Sequence, residues 1–465
     1  MLFSSPFFLF IFMPLVFFLF FMMPIRFKNT VLLFASFSFY FWGEPRFFLI
    51  AVLSTCLDYF ICGRVFTARK KTTALIWLNT GIVANVLMLF YYKYLNFFVV
   101  STASLMNYLQ VKPLPFFQIA LPIGISFIVF EKITYLVDVY RGISKPATSL
   151  KNYLLYIFFF PKLLAGPIVK YHDIAAQLRN HYPSLENFLL GFKRFLLGLV
   201  KKVLVADTLA EVADKLFALS GNDLGFFNAW LGLICFTFQI YLDFSAYSDM
   251  AIGLAKMFGF TLLENFNMPY LALNFTDFWR RWHISLSTWI REYLYYPLGG
   301  NRFGTFRTYL NLWLCFLLSG LWHGANWNFV IWGAYNGLFL VLDKLGWLHF
   351  SKRLPIWLNR TLTFIFVMLG WAIFRTSSVE QLTNVLAALF SPGRESSFIY
   401  LTFDLWIALL AAVMISFVGN VNALKQWVAS KYHDALEHWM ISTFSFFAVA
   451  RVVAATFHSF LYFRF

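Results

Sequence analysis

Charge is what this chain has least of. Only 12% of its 465 residues are Asp, Glu, Lys or Arg, against about 25% in an average soluble domain. That scarcity excludes a water-soluble globular enzyme, whose surface needs charged side chains, and a disordered chain, which stays unfolded because it is polar. Cysteine is sparser still, with four residues. Cys56, Cys62, Cys235 and Cys315 lie in apolar stretches with no CxxC spacing. They form neither a disulfide framework nor a zinc-ligand pattern and read as buried free thiols; no metal is implied. No basic block exceeds Arg69-Lys70-Lys71. The net charge of +16, from 37 basic and 21 acidic residues, therefore does not point to nucleic acid. There is no internal repeat and no linker that would separate a soluble domain.

Apolar mass fills the chain instead. Apolar residues make up 60%, aromatics 22%, and Phe alone contributes 62, where a soluble domain is about 45–50% apolar. The composition indicates an all-α polytopic membrane protein whose basic loops face the cytoplasm and its anionic lipid. A span needs about 20 mostly apolar residues. Met1–Ile25, Thr72–Tyr92, Pro113–Phe130, Leu224–Leu242 and Leu405–Leu424 carry no formal charge. The first of these lacks a basic start and a small-residue cleavage site, so it reads as an uncleaved helix. Shorter candidates bring the expected total to about eleven transmembrane or re-entrant helices. Thr308–Leu342 is charge-free over 35 residues. It is too long for one helix and is expected to break into two at Ser319–Gly324, where glycines disfavour a continuous helix. Pro161 and Gly166-Pro167 should break another helix. The clusters at Arg26–Lys28, Arg64–Lys71 and Arg141–Lys151, then Lys344–Arg353 and Lys425–Lys431, fit the cytoplasmic side. Both termini then lie outside.

Polar residues at membrane depth are functional candidates, because burying them is costly. His323 sits inside the charge-free run with Gly320 and Gly324 beside it, Trp322 and Trp327 as walls and Asn326 and Asn328 as donors. It is either a functional group or a neutral histidine hydrogen-bonded between helices. A second constellation, Phe278–Trp289, mixes Arg280, Arg281, Trp282, His283, Ser287 and two further tryptophans. His283 and Ser287 are four apart, one helical face. Arg280 and Arg291 suit a phosphate, or the arginines lie on lipid phosphate in an interfacial amphipathic helix. A third, Gln239–Asp249, holds Asp243 and Asp249 at the end of an apolar run. They face a polar cavity or pair with Arg280 or Arg281. The six remaining histidines lie near loops or helix ends, and none is assigned to chemistry.

At these residues the chain resembles the membrane-bound O-acyltransferase (MBOAT) family, most closely its bacterial alginate O-acetylase-like branch. The matching stretches are Met1–Phe10, Leu121–Gly142, Phe160–Tyr171, Asp243–Phe260, Glu264–Tyr270, Phe278–Trp289, Tyr293–Arg302 and Ser319–Trp332. The resemblance implies a single membrane domain over 1–465, with N-terminal helices in 1–120, the core in 121–345 and C-terminal helices in 346–465. It implies a ring of tilted helices around a central funnel, and acyl transfer from a thioester to a hydroxyl. It places the family's functional histidine on His323 and a second histidine on His283. Neutral imidazole suits a general base near pH 7. His323 is therefore expected to be the base, with His283 orienting the acceptor or polarising the carbonyl. Asn326 and backbone N–H groups are further candidates for the developing oxyanion. Arg280 and Arg281 would hold a donor phosphate, with Trp282, Ser287 and Asp243 completing the substrate-binding set.

The resemblance further implies acetyl-CoA as donor, with no permanently bound cofactor. The acceptor would be an exported polymer, either alginate, another exopolysaccharide or peptidoglycan. A periplasmic O-acetyltransferase would be the partner, at the bacterial inner membrane with its lipid. The terminal Phe460-Leu461-Tyr462-Phe463-Arg464-Phe465 looks like an aromatic motif of this branch. Tyr462 is then either an acyl relay or part of an interfacial aromatic belt. A phenol with a pKa of about 10 is a better leaving group than a sugar hydroxyl. A transporter or flippase for a polysaccharide or lipid precursor is the alternative, since broken helices with buried polar groups occur there too.

Overall fold

A backbone in lipid must satisfy its hydrogen bonds within each segment, and every regular element among the described residues is a helix. The computed structural model describes residues 1–112, 116, 118–180, 183–219, 223–393, 402–418 and 433–454. Among these, four helices are long and apolar enough to cross a membrane: Pro45–Thr67, Lys71–Tyr108, Phe226–Met257 and Ile356–Arg375. Phe8–Met22 and Phe403–Val418 are shorter apolar helices. The residues group into two compact units, Met1–Phe192 with Ala251–Leu263, and Lys193–Met250 with Glu264–Phe465.

The first unit contains α1 (Met13–Met22), α2 (Ile25–Gly43), α3 (Pro45–Thr67), α4 (Lys71–Leu89), α5 (Leu95–Tyr108), α6 (Ile125–Tyr140), α7 (Leu150–Phe158) and α8 (Tyr171–Arg179). Its core uses the abundant phenylalanine. Phe160 meets Phe12 at 5.5 Å and Phe39 at 5.6 Å, and Phe258 meets Phe17 at 4.8 Å. Buried charges come in pairs. Lys132 Nζ lies 2.9 Å from Asp58 Oδ2, a carboxylate that also accepts from Asn85, and Lys162 pairs with Glu131. Pairing offsets the desolvation that a lone charge would suffer. The chain leaves the helix after Phe158 and turns through buried residues, where Pro161 and Gly166 place the break. A Cβ on Gly166 would come 2.4 Å from Lys162 Cα.

In the second unit, α9 (Leu185–Val200), which begins in the first, leads through a π-helical turn at Lys201–Ala206 into α10 (Asp207–Phe217). Then come α11 (Phe226–Met257), which re-enters the first unit at its end, α12 (Phe275–Arg281), α13 (Ile284–Ile290), α14 (Gly304–His323), α15 (Trp327–Leu342), α16 (Ile356–Arg375), α17 (Val379–Leu389), α18 (Phe403–Val413) and α19 (His433–Ala454). The charge-free run forms two helices, α14 and α15. The break falls at Gly324–Asn326, at the far edge of the expected segment, and Ser319–His323 stays helical. Packing sets this position. A Cβ on Gly324 would sit 2.1 Å from the Phe329 ring, and Asn326 Oδ1 caps α15 by accepting from Asn328 N at 3.2 Å. The two helices approach through glycine on both faces. A Cβ on Gly320 or Gly333 would reach the opposite backbone at 2.1 Å from Phe329 O or 2.5 Å from Phe316 O.

Candidate active site at the break between α14 and α15

His323 is the last residue of α14 and is 8% exposed. Its imidazole is caged by rings: Trp322 at 4.9 Å, Trp332 edge-on at 5.1 Å and Phe374 at 5.5 Å. Trp322 forms a wall as expected. Trp327 does not; it is exposed, and Trp332, one turn further along α15, takes that place. The amide of Asn326 is used structurally. Its Oδ1 caps α15, and its Nδ2 donates to Ser377 O at 2.8 Å. Asn328 likewise anchors the chain at Thr376 and Ser378.

His283 is fully buried, and its ring lies 6.3 Å from the same Trp322 indole. The two histidines, forty residues apart in the chain, thus both lie near one tryptophan. The single helix expected across Phe278–Trp289 is two. α12 ends at Arg281, and His283 adopts a left-handed backbone (φ 44°, ψ 55°) before α13. His283 and Ser287 therefore do not share a helical face; Ser287 Oγ turns back to Trp282 O. The kink is held by residues 265–267. Ile284 N donates to Asn265 O at 2.9 Å and Asn267 N to Arg281 O at 2.9 Å. Trp282 is buried among Phe266, Phe278 and Trp371, as part of the aromatic core.

The two neighbouring arginines separate. Arg281 Nε donates to Asp277 Oδ1 at 2.8 Å, an i,i+4 pair. Arg280 is exposed and lines a cleft of about 450 Å³ with Arg291, Lys344, Ser287 and Thr288, backed by Trp279 and Phe316. Thr276, which also lines this cleft, donates from N and Oγ1 to Asp343 Oδ2, each at 2.7 Å. Asp243 does not pair with either arginine. It meets Lys202 Nζ at 2.9 Å, and Lys202 also meets Asp207. Asp249 pairs with Arg194 and Lys201. Tyr462 lies outside the described residues.

The family model for the membrane-bound O-acyltransferase family matches residues 73–379, which include both histidines and the cleft. The chain belongs to the membrane-bound O-acyltransferase family. This member is a membrane protein and an O-acyltransferase. It is 45% identical over 394 residues to the probable alginate O-acetylase AlgI of Azotobacter vinelandii, covering 84% of this chain and 79% of that one. It is 36% identical over 425 residues to a peptidoglycan O-acetyltransferase of Helicobacter pylori, covering 84% and 80%. It is also 27% identical over 275 residues to a teichoic acid D-alanyltransferase of Bacillus subtilis, covering 54% and 68%. In this O-acyltransferase, the residues that sequence reasoning passed over are Asn265, Trp332 and Phe374. Asn265 lies in a stretch that resembles the family, but nothing in its spacing pairs it with His283.

Proposed function

We propose that this O-acyltransferase moves acetyl groups from acetyl-CoA on the cytoplasmic side of the bacterial inner membrane toward hydroxyls of an exported polysaccharide. The polymer is alginate, another exopolysaccharide or peptidoglycan, and a periplasmic O-acetyltransferase takes up the activated group. The observation that carries this reading is the pair of buried imidazoles whose rings lie 6.3 Å and 4.9 Å from the Trp322 indole. The names of its relatives, alginate O-acetylase and peptidoglycan O-acetyltransferase, support the substrate class.

In this reading the helices surround a funnel that lets donor and acceptor meet at the break between α14 and α15. His323 accepts the proton of the attacking hydroxyl as its oxygen bonds to the thioester carbon. The carbon–sulfur bond then breaks, and the departing thiolate takes the proton. His283 is the second polar group at the reacting centre. The cations of the cleft, Arg280, Arg291 and Lys344, hold donor phosphate, since guanidinium and ammonium groups suit that charge.

The test is the O-acetyl content of exported polymer in cells carrying His323→Ala, with membrane-inserted protein measured in parallel. The expected result is loss of acetylation at unchanged protein level. Wild-type acetylation by an inserted variant would overturn the base assignment. Movement of polymer or lipid by the purified protein, without acetyl transfer from labelled acetyl-CoA, would favour a transporter.

A further inference from the structure

His283 is held by more than packing. Its Nδ1 lies 3.1 Å from Asn265 Oδ1. That same oxygen receives Ser285 N at 3.2 Å and Ser285 Oγ at 2.9 Å. A backbone N–H can only donate, so the Asn265 atom it meets must be the carbonyl oxygen and not the amide nitrogen. The other end of the amide agrees, with Nδ2 donating to Ser248 Oγ at 3.3 Å. An oxygen that accepts from Ser285 has no proton to give, so His283 Nδ1 must carry the hydrogen. A neutral imidazole has one N–H, and the hydrogen bond made by one nitrogen fixes the state of the other. Nε2 therefore bears a lone pair. It is buried and has no hydrogen-bond partner among the described residues. The backbone pays for this placement with a left-handed conformation at a non-glycine residue, a strain that concentrates at functional sites.

We propose that Asn265 is a positioning residue that locks His283 in the Nδ1–H tautomer, so that Nε2 faces substrate as a hydrogen-bond acceptor. This rests on the reading of His283 as part of the acyl-transfer site. It also decides between the two roles open to that residue. A neutral imidazole with no hydrogen on Nε2 cannot donate to the carbonyl oxygen of the thioester. It receives a hydrogen bond from an O–H or N–H of substrate instead, such as a second hydroxyl of the acceptor or an amide of the donor. The oxyanion must then be stabilised by other donors.

The test has two arms. The first is ¹⁵N NMR of histidine-labelled protein in lipid nanodiscs, with the His283 signals assigned by their loss in His283→Gln. A protonated Nδ1 and an unprotonated Nε2 are expected; a protonated Nε2 would overturn the proposal whatever the activity data show. The second compares Asn265→Leu, which removes the acceptor oxygen at similar size, with Asn265→Asp, which keeps an acceptor there. The expected result is a fall in kcat/KM of about 10–100-fold for the leucine variant, the scale of a buried group that loses its hydrogen-bond partner, with recovery in the aspartate variant. The KM that rises most, for acetyl-CoA or for the hydroxyl acceptor, identifies which substrate meets Nε2. Wild-type kcat/KM in a folded Asn265→Leu protein would overturn the role. The wild-type NMR arm stands even if that variant does not fold. Failure of the activity reading itself would appear separately, as acetylation that survives His283→Gln and His323→Ala.

Discussion

Gly320 faces Phe329 so closely that a Cβ on Gly320 would lie 2.1 Å from the Phe329 carbonyl oxygen. No rotamer relieves a clash with backbone. Gly320→Ala should therefore push α14 and α15 apart and displace His323, three residues on. Overpacking of this kind costs about 1–3 kcal/mol. The expected outcome is a lower Tm in detergent together with reduced acetylation. Gly63→Ala, inside α3 with nothing within 4 Å of the added carbon, is the control and should not lower Tm, since alanine is the better helix former.

Lys202 is buried between Asp207 and Asp243. Lys202→Met removes the cation that both carboxylates share and should destabilise by about 3–5 kcal/mol. Thermal unfolding of the purified protein measures this. Adding Asp243→Asn to that variant should restore part of the loss, because it removes one of the two carboxylate charges that Lys202 balanced. If Asp243→Asn alone abolishes activity while Tm is unchanged, Asp243 acts on substrate and not as a structural partner.

Arg280, Arg291 and Lys344 share one cleft, whereas Arg281 is tied to Asp277. Arg280→Ala, Arg291→Ala and Lys344→Ala should each raise KM for acetyl-CoA about tenfold, corresponding to ~1.4 kcal/mol, with kcat nearly unchanged. Higher salt should shrink the difference, because exposed charges are screened. Arg281→Ala should change KM less than about twofold, the scale of an exposed i,i+4 pair. Steady-state kinetics with varied acetyl-CoA decide the point. An equal effect of Arg281→Ala would remove the cleft from donor binding.

The relay reading of Tyr462, as against the aromatic-belt reading, predicts that this residue carries acetyl as a phenyl ester. Mass spectrometry of the C-terminal peptide, in cells with an inactive periplasmic transferase, should find that ester. Tyr462→Phe should abolish polymer acetylation while acetyl-CoA still binds. Cysteine accessibility should place Arg69–Lys71 and Lys344–Arg353 in the cytoplasm and both termini outside. A cytoplasmic C-terminus, or normal acetylation by Tyr462→Phe, would rule the relay out.

By itself the sequence determined the helical membrane class, through apolar runs that no soluble fold needs, and the enzyme family, through the stretches around His283 and His323 that resemble it. It determined that Thr308–Leu342 must break, because 35 charge-free residues exceed one span. Only the tertiary structure decided where. Gly320 is a helix breaker by propensity, yet it stays helical because its missing side chain lets α15 approach, and the chain turns at Gly324. The same holds for charge partners. Asp243 looked as ready for Arg280 as for any cation, since spacing along a chain carries no information about contacts between distant segments; folding brings Lys202 to it instead of Arg280. Asn265 shows the limit most clearly. Asparagine is a common loop residue, and its role exists only once the backbone at 281–285 bends around it and directs His283, Ile284 and Ser285 onto its two oxygens.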